Sequence, residues 1–193
     1  MKIILVDYTV DPLWLISYAA RTCYNSRNKD NVQTREDFVK GLIKAGHETP
    51  LEFCHAVFDI KGISRACLAQ LTRHRVGISF CVESQRYVNS KDADFIMPYK
   101  VSKTSDAGYD IFKKCKEFYN TLIENDVPKE DARYFLPIGT STNLIMCINF
   151  RELRHILKLR LDKHAQWEIK RLALQIYEIC QQKWPWLVED IKI

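Results

Sequence analysis

Glycine and proline are scarce, six of each in 193 residues, which argues against long disordered stretches. No low-complexity tract is present, and no repeat of ~20–50 residues recurs. No apolar run approaches the ~18 residues that a bilayer crossing needs, so no membrane partner is expected. The opening ten residues do not read as a signal peptide, because their apolar run is short and Asp7 cuts it. A soluble, cytoplasmic protein is the expectation. The seven cysteines form no Cys-x-x-Cys pair and are odd in number. Neither a disulfide framework nor a zinc site follows, and most of the thiols read as small core hydrophobes. His47 and His55 are eight apart, and His155 and His164 nine apart. Neither pair has the i, i+4 spacing of helical metal ligands, so no metal is expected. Gly-rich phosphate loops of either common type are also missing, so a bound nucleotide must be held in another way.

What is there reads as an ordinary globular chain, 47% apolar and 27% charged. Residues 2–8 hold a short apolar run, Ile3 to Val6, that predicts a buried strand. Asp11 and Pro12 predict a helix start, with Asp11 as cap, running to about Tyr24. Thr34 and Gly46 bracket a second helix. A strand is expected over 56–60, then a helix capped by Ser64 that runs into Arg73-His74-Arg75. Residues 76–87 are ambiguous between helix and strand, with Gly77 as a breaker. An amphipathic helix is expected from Asp106 to about Asn125, a short one from Pro128, a strand over 144–148, and helices over 151–161 and 164–183 stopped by Pro185. Strands and helices alternate without a βαβ series. The expectation is therefore an α+β fold, one domain over 1–193, with a mixed or antiparallel sheet flanked by helices.

Three arginine clusters carry the chemistry. Arg73-His74-Arg75 would close the third helix, where cations complement the dipole. Gln70 and Arg73 are three apart and would share a face with Ala66, able to hold a phosphate or a base edge. Ser84, Gln85 and Arg86 form a polar trio after Phe80-Cys81-Val82, and an arginine fork beside a hydroxyl and an amide suits a phosphate. In the third cluster Arg151 and His155 are four apart on one face, while Arg160, nine residues on, points to the opposite side.

Together these segments resemble the flavin-dependent thymidylate synthases. The family's Arg-His-Arg motif with a downstream serine is matched by Arg73-His74-Arg75 and Ser84, here separated by eight residues where the family has seven. His47-Glu48-Thr49-Pro50-Leu51-Glu52 is similar to its His-x-Ser/Thr-Pro-x-Glu segment. The first-helix block 19–24, Ala132-Arg133 with Leu136-Pro137, and Asn149-x-Arg151 with Leu159-Arg160 and 164–168 follow in the same order. The resemblance implies a homotetramer whose active sites draw on several subunits. It implies that Gln70, Arg73, Ser84, Gln85, Arg86, Arg133 and Arg160 hold dUMP. It likewise implies that Thr49, Arg73, His74, Arg75, Glu83, Asn149, Arg151 and His155 hold FAD, His155 standing where the family commonly has Asn. His47 would lie near the flavin and the folate. Methylenetetrahydrofolate would give the carbon, and NADPH the electrons by way of FAD. Arg160 would meet the charge that gathers on N3 and O4 of uracil when C5 attacks, as an oxyanion hole does. Ser84 reads as a ligand rather than a nucleophile. Cys81, between Phe80 and Val82, reads as a buried, inert thiol.

Two other classes compete. A nucleic-acid-binding module is disfavoured by a net charge of only +5 and by the lack of a basic arm, so no nucleic-acid partner is expected. A non-catalytic interface scaffold would use Arg133, Arg151 and Arg160 in ion pairs, and either rival would be colourless.

Overall fold

The computed structural model describes residues 1–105 and 107–193. Four strands, β1 (Lys2–Tyr8), β2 (His55–Ser64), β3 (Ile78–Val82) and β4 (Ser141–Asn149), form one sheet in the order β1-β2-β4-β3. The sheet is antiparallel, and with the surrounding helices it makes the fold α+β. The β3/β4 pairing shows the direction: Asn149 N donates to Gly77 O at one end, and Glu83 N donates to Asn143 O at the other. Alternation is strict on β4 and over the first half of β2, where Leu144, Met146 and Ile148, and Ala56, Phe58 and Ile60, are buried. The apolar run in β1 is not a buried strand. β1 lies at the sheet's edge, and its pleat leaves Ile4 40% and Val6 59% exposed.

The chain forms two compact units. The first comprises Met1–Lys2, Ile60–Arg73 and Cys81–Leu144. It holds α3 (Arg65–Leu71), α4 (Tyr99–Ser102), α5 (Ala107–Glu124) and α6 (Lys129–Ala132). Ser64 caps α3 by accepting from Cys67 N at 2.9 Å. That helix stops at Leu71, with Thr72 closing it, so Gln70 and Arg73 do not share a helical face. The expected start of α5, Asp106, lies outside the described residues. Tyr119 on α5 is fully buried, and its hydroxyl accepts from Ser90 N.

The second unit comprises Ile3–Asp59, His74–Phe80 and Ile145–Ile193. It holds α1 (Pro12–Thr22), α2 (Arg35–Lys44), α7 (Phe150–Arg160), α8 (Trp167–Lys183) and α9 (Pro185–Val188). Asp11 caps α1 as its sequence signature predicts, accepting from Trp14 N at 3.0 Å. α1 packs on α2 and on a 3-10 turn at Thr49–Phe53, and α7 packs on the same turn and on α8. Leu51, Phe58, Phe150, Leu153, Leu157 and Leu172 make the centre of this core, each residue contributing about 1.5–3 kcal/mol by leaving water. α8 begins at Trp167 rather than His164, because Gln166 is the cap: its Oε1 accepts from Glu168 N and Ile169 N. α8 ends at Lys183, just before Pro185 as the sequence predicts, and Pro185 also opens α9, where a missing N–H is no loss.

Gly77 is required twice over. Its φ of +68° is one that L side chains rarely adopt, and a Cβ there would lie 2.3 Å from Asn149 Nδ2. Gly77→Ala is therefore expected to displace Asn149, the N-cap of α7. The left-handed strain and the lost cap together should lower stability by about 2 kcal/mol, read as a shift in the urea midpoint. An unchanged midpoint would show that the loop relaxes at no cost.

Candidate functional site

The loop from His74 and the start of α7 build the centre of the site in the second unit. Arg73, His74 and Arg75 lie in a loop rather than at a helix end, and they separate by burial. Arg73 and Arg75 are exposed, while His74 is only 7% exposed. β4 delivers the chain directly into α7, with Asn149 at the junction. The Asn149 side chain accepts from Glu152 N at 2.8 Å. Glu152 sits at the third helical position, where a glutamate often reaches back to the cap's own N–H. Here that N–H is already given to Gly77 O in the sheet, and the Glu152 carboxylate turns to His74 instead.

His74 is held at both ring nitrogens. Nδ1 is 2.8 Å from Glu152 Oε1, and Nε2 is 3.2 Å from Arg160 Nε. An arginine Nε–H can only donate, so Nε2 must accept, and the proton of the neutral ring lies on Nδ1 and donates to Glu152. Burial pushes the His74 pKa below the ordinary histidine value; the Glu152 hydrogen bond and charge oppose this, and the nearby Arg160 and His155 assist it. The His155 ring packs edge-on against His74, with centroids 5.8 Å apart. His74, Glu152 and His155 thus bring donor atoms within 4.8 Å of one another, a grouping that helical spacing rules do not see. Their types suit a divalent ion. The Arg160 guanidinium, however, already sets a cation against the same imidazole.

Arg151 and Arg160 occupy different surroundings, as their offset on α7 predicts. Arg151 Nη1 donates to Glu52 Oε1 at 2.5 Å, and its Nε lies 3.8 Å from Glu48 Oε2. Glu52 raises the Arg151 pKa through that bond. Arg151, Glu48, Glu52, Val76, Asn149 and His155 line a cavity of about 320 Å³ with Glu152. His47 and Thr49 border a larger cavity, about 700 Å³, walled by Leu15, Tyr18, Tyr24 and Phe53. Successive residues 47–49 therefore serve two cavities.

In the first unit a second arginine group gathers on α6. Arg86 Nε donates to Glu130 Oε2 at 3.0 Å, and Arg133 Nε donates to the Glu130 carbonyl at 3.0 Å. The Ser84 hydroxyl accepts from Arg86 N, and Gln85 is half-buried beside it. Arg65, which the sequence reading passed over, donates from Nη2 to Glu83 O. Its Nε is buried with no hydrogen-bond partner among the described residues. Burial lowers its pKa, and Arg133 adds repulsion, while Glu83 opposes both. Cations held this close, one with an orphaned N–H, suit an anionic ligand. The Glu83 carboxylate accepts from Asn143 Nδ2 at 2.7 Å and lines a polar cavity of about 510 Å³ with Lys61, Asn89 and Asp92.

Cys81 is exposed, not buried. It lies on β3, where period-two alternation turns it away from Phe80 and Val82; apolar neighbours in sequence stand on the other face of a strand. Of the seven cysteines only Cys54, Cys67 and Cys180 are buried, so most are not core residues. Burial pushes the Cys54 and Cys180 thiols up to about 12. Glu48 and Glu52 stood in the sequence only as part of the family's segment over 47–52, without a role of their own. Besides Arg65, Glu152 was missed, although its place three residues after a capping Asn is a local signal.

The chain matches the family described as thymidylate synthase complementing protein over residues 4–186. It is 36% identical over 202 residues to the flavin-dependent thymidylate synthase of Geobacter sulfurreducens, covering 98% of this chain and 86% of that protein. It is 31% identical over 240 residues to the enzyme of that name from Haloarcula marismortui, covering 100% and 97%. The corresponding protein of Pyrococcus furiosus is 34% identical over 192 residues, covering 92% and 78%. A match over nearly the whole chain joins the arginine loop, the Asn149 junction and α7 in one pattern, and the chain belongs to the thymidylate synthase complementing protein family, that of the flavin-dependent thymidylate synthases.

Proposed function

We propose that this chain converts dUMP to dTMP with FAD as bound cofactor, methylenetetrahydrofolate as one-carbon donor and NADPH as reductant, releasing tetrahydrofolate. The observation that carries the reading is the presence of two separate arginine groups, one in each unit. Arg86 and Arg133, with Arg65, suit the phosphate of dUMP, and Gln70, Arg73, Ser84 and Gln85 belong to the same assignment. Arg151, with exposed Arg75, suits the phosphates of FAD. Thr49, Arg73, His74, Glu83, Asn149 and His155 complete the FAD assignment, with His47 near the flavin and the folate. These residues fit a dinucleotide: exposed guanidiniums, a polar cavity at α7 and an apolar cavity beside His47 and Thr49. When bound, the flavin supplies the hydride chemistry that the side chains lack. The protein's part is to orient the uracil and to place Arg160 at its N3–O4 edge. Arginine stays protonated and so stabilises charge instead of removing a proton. The same reading makes the whole chain one catalytic domain and the working form a homotetramer. Ile4, Val6 and Ile145, exposed on the sheet, give apolar surface for such an assembly.

The direct test is tritium release from C5-labelled dUMP with FAD, NADPH and methylenetetrahydrofolate, beside the visible absorbance of the purified protein. Release that depends on all four components is expected. A colourless protein without turnover would leave the scaffold and nucleic-acid-binding readings.

Arg75→Ala and Arg151→Ala are each expected to weaken FAD binding about tenfold or more, since a hydrogen bond to a charged group is worth ~1.5–3 kcal/mol. Flavin fluorescence titration measures it, and unchanged affinity in both variants would remove the phosphate assignment.

A further inference from the structure

We propose that Glu152 is a positioning residue: by accepting the Nδ1–H of His74 it leaves Nε2 as an acceptor and so aims the Arg160 guanidinium. The inference rests on the role proposed above for Arg160. Three residues from two segments form one directed chain, carboxylate to imidazole to guanidinium, at 2.8 and 3.2 Å. Each link requires the one before it. Neutral imidazole has one donor and one acceptor, and the free ring is at liberty to exchange them. Were the proton on Nε2, two N–H groups would face each other, and Arg160 would turn away. The Glu152 carboxylate, which only accepts, makes the Nδ1–H form the one that satisfies both neighbours. A carboxylate that sets a histidine tautomer in this way is a known device where the far nitrogen must act as an acceptor.

The surroundings support the same state. His74 is nearly closed to solvent, and burial disfavours the imidazolium, which would present N–H groups on both sides. The charged or titratable groups facing it are Glu152, Arg160 and His155, and two of the three can be cationic. Glu152 is also free for the task because the Asn149 N–H, its ordinary capping-box partner, is bound in the sheet to Gly77. The Arg160 Nε–H is given to His74, and the planar fork keeps the two Nη groups in a fixed relation to it.

The test pairs tautomer with rate. In the full-length, flavin-loaded protein labelled with 15N-histidine, the His74 signals are identified by their loss in His74→Gln. The wild type should show a protonated Nδ1 and a bare Nε2. In Glu152→Ala the proton should move to Nε2, and dTMP formation at saturating dUMP should fall about 10–100-fold, as for other carboxylates that set a histidine tautomer. NADPH oxidation is measured in the same samples at saturating FAD, and dTMP formation should fall at least about tenfold further than it does, because the inferred aim concerns the uracil edge. Glu152→Gln keeps the shape, and its amide can accept from or donate to Nδ1. Tautomer and rate must then agree: Nδ1–H with near wild-type turnover, or Nε2–H with turnover lost. A tautomer change without a rate change, or a rate change without a tautomer change, overturns the proposal. A wild-type protein that binds flavin but makes no dTMP overturns instead the activity reading, with the role given to Arg160; the tautomer result still shows whether Glu152 sets the ring.

Discussion

Arg160→Lys should still bind FAD and oxidise NADPH, yet make dTMP about 10²–10³-fold more slowly, the usual loss when one preorganised donor to a developing oxyanion is removed. Lysine keeps the charge but not the fork. In the structure the Arg160 Nε–H is bonded to His74 Nε2, which leaves the orientation of the plane defined by a buried ring. An ammonium placed at the same point can satisfy His74 or the uracil edge, but it has no rigid geometry that addresses both. Weaker dUMP binding is also expected, because the same contact exists before reaction. The decisive comparison is made at saturating dUMP, where a purely ground-state contact would restore the full rate. Full recovery there removes Arg160 from the chemistry and leaves it as a substrate ligand. Reduction of FAD by NADPH does not involve charge on uracil, so parallel loss in that half-reaction would point to a displaced flavin.

Asp190→Ala should lower stability by about 3 kcal/mol, the low end of what breaking a buried ion pair costs. Arg154 on α7 is 1% exposed, the largest of the fully buried side chains. Its fork meets Asp190 at 2.8 and 2.7 Å and also donates to the Leu187 carbonyl. Its Nε has no hydrogen-bond partner among the described residues, and the Glu48 carboxylate stands 4.0 Å away. Removing Asp190 leaves a buried guanidinium with one carbonyl. The lower figure applies because the Asp190 side chain is itself 45% exposed. For a chain of this length that is a fall in Tm of roughly 10 °C. Adding Arg154→Met to Asp190→Ala should recover part of it, since an apolar side chain needs no partner. Arg154 holds the Asp190 carboxyl below the usual carboxylate range. The native state thus binds that proton less readily than the unfolded chain, so the bridge contributes fully above the ordinary value of about 3.9 and is lost as pH falls through the lower folded value. The Tm gap between wild type and Asp190→Ala should narrow below about pH 4. A gap that is absent at pH 7, or constant down to acid, would falsify the account of Arg154.

Sequence by itself determined the elements whose signals are local. Asp11 before Pro12 and Ser64 before an apolar helix act within a single turn of chain, and each caps the helix it marks. Gly77 takes the left-handed backbone its type allows, although α3 has already ended at Leu71, and the opposed positions of Arg151 and Arg160 follow from helical rotation alone. The order of the family's motifs also survives without any knowledge of contacts. Tertiary structure alone decided which of those residues face inward. His74 and Arg75 are neighbours in one basic triplet, yet one is buried and the other exposed, because only His74 meets α7, 78 residues further on. Ile4, Val6 and Cys81 are apolar or near-apolar and still point outward. A strand shows alternate residues to opposite faces, and which face is covered depends on its place in the sheet. The glutamates tell the same story. Glu52, Glu130 and Glu152 each close on a basic residue of a segment distant in sequence. A hydrogen bond to a neighbouring residue can be inferred from spacing. One made across the fold depends on where the sheet brings separate segments of chain together, and no window of sequence contains that distance.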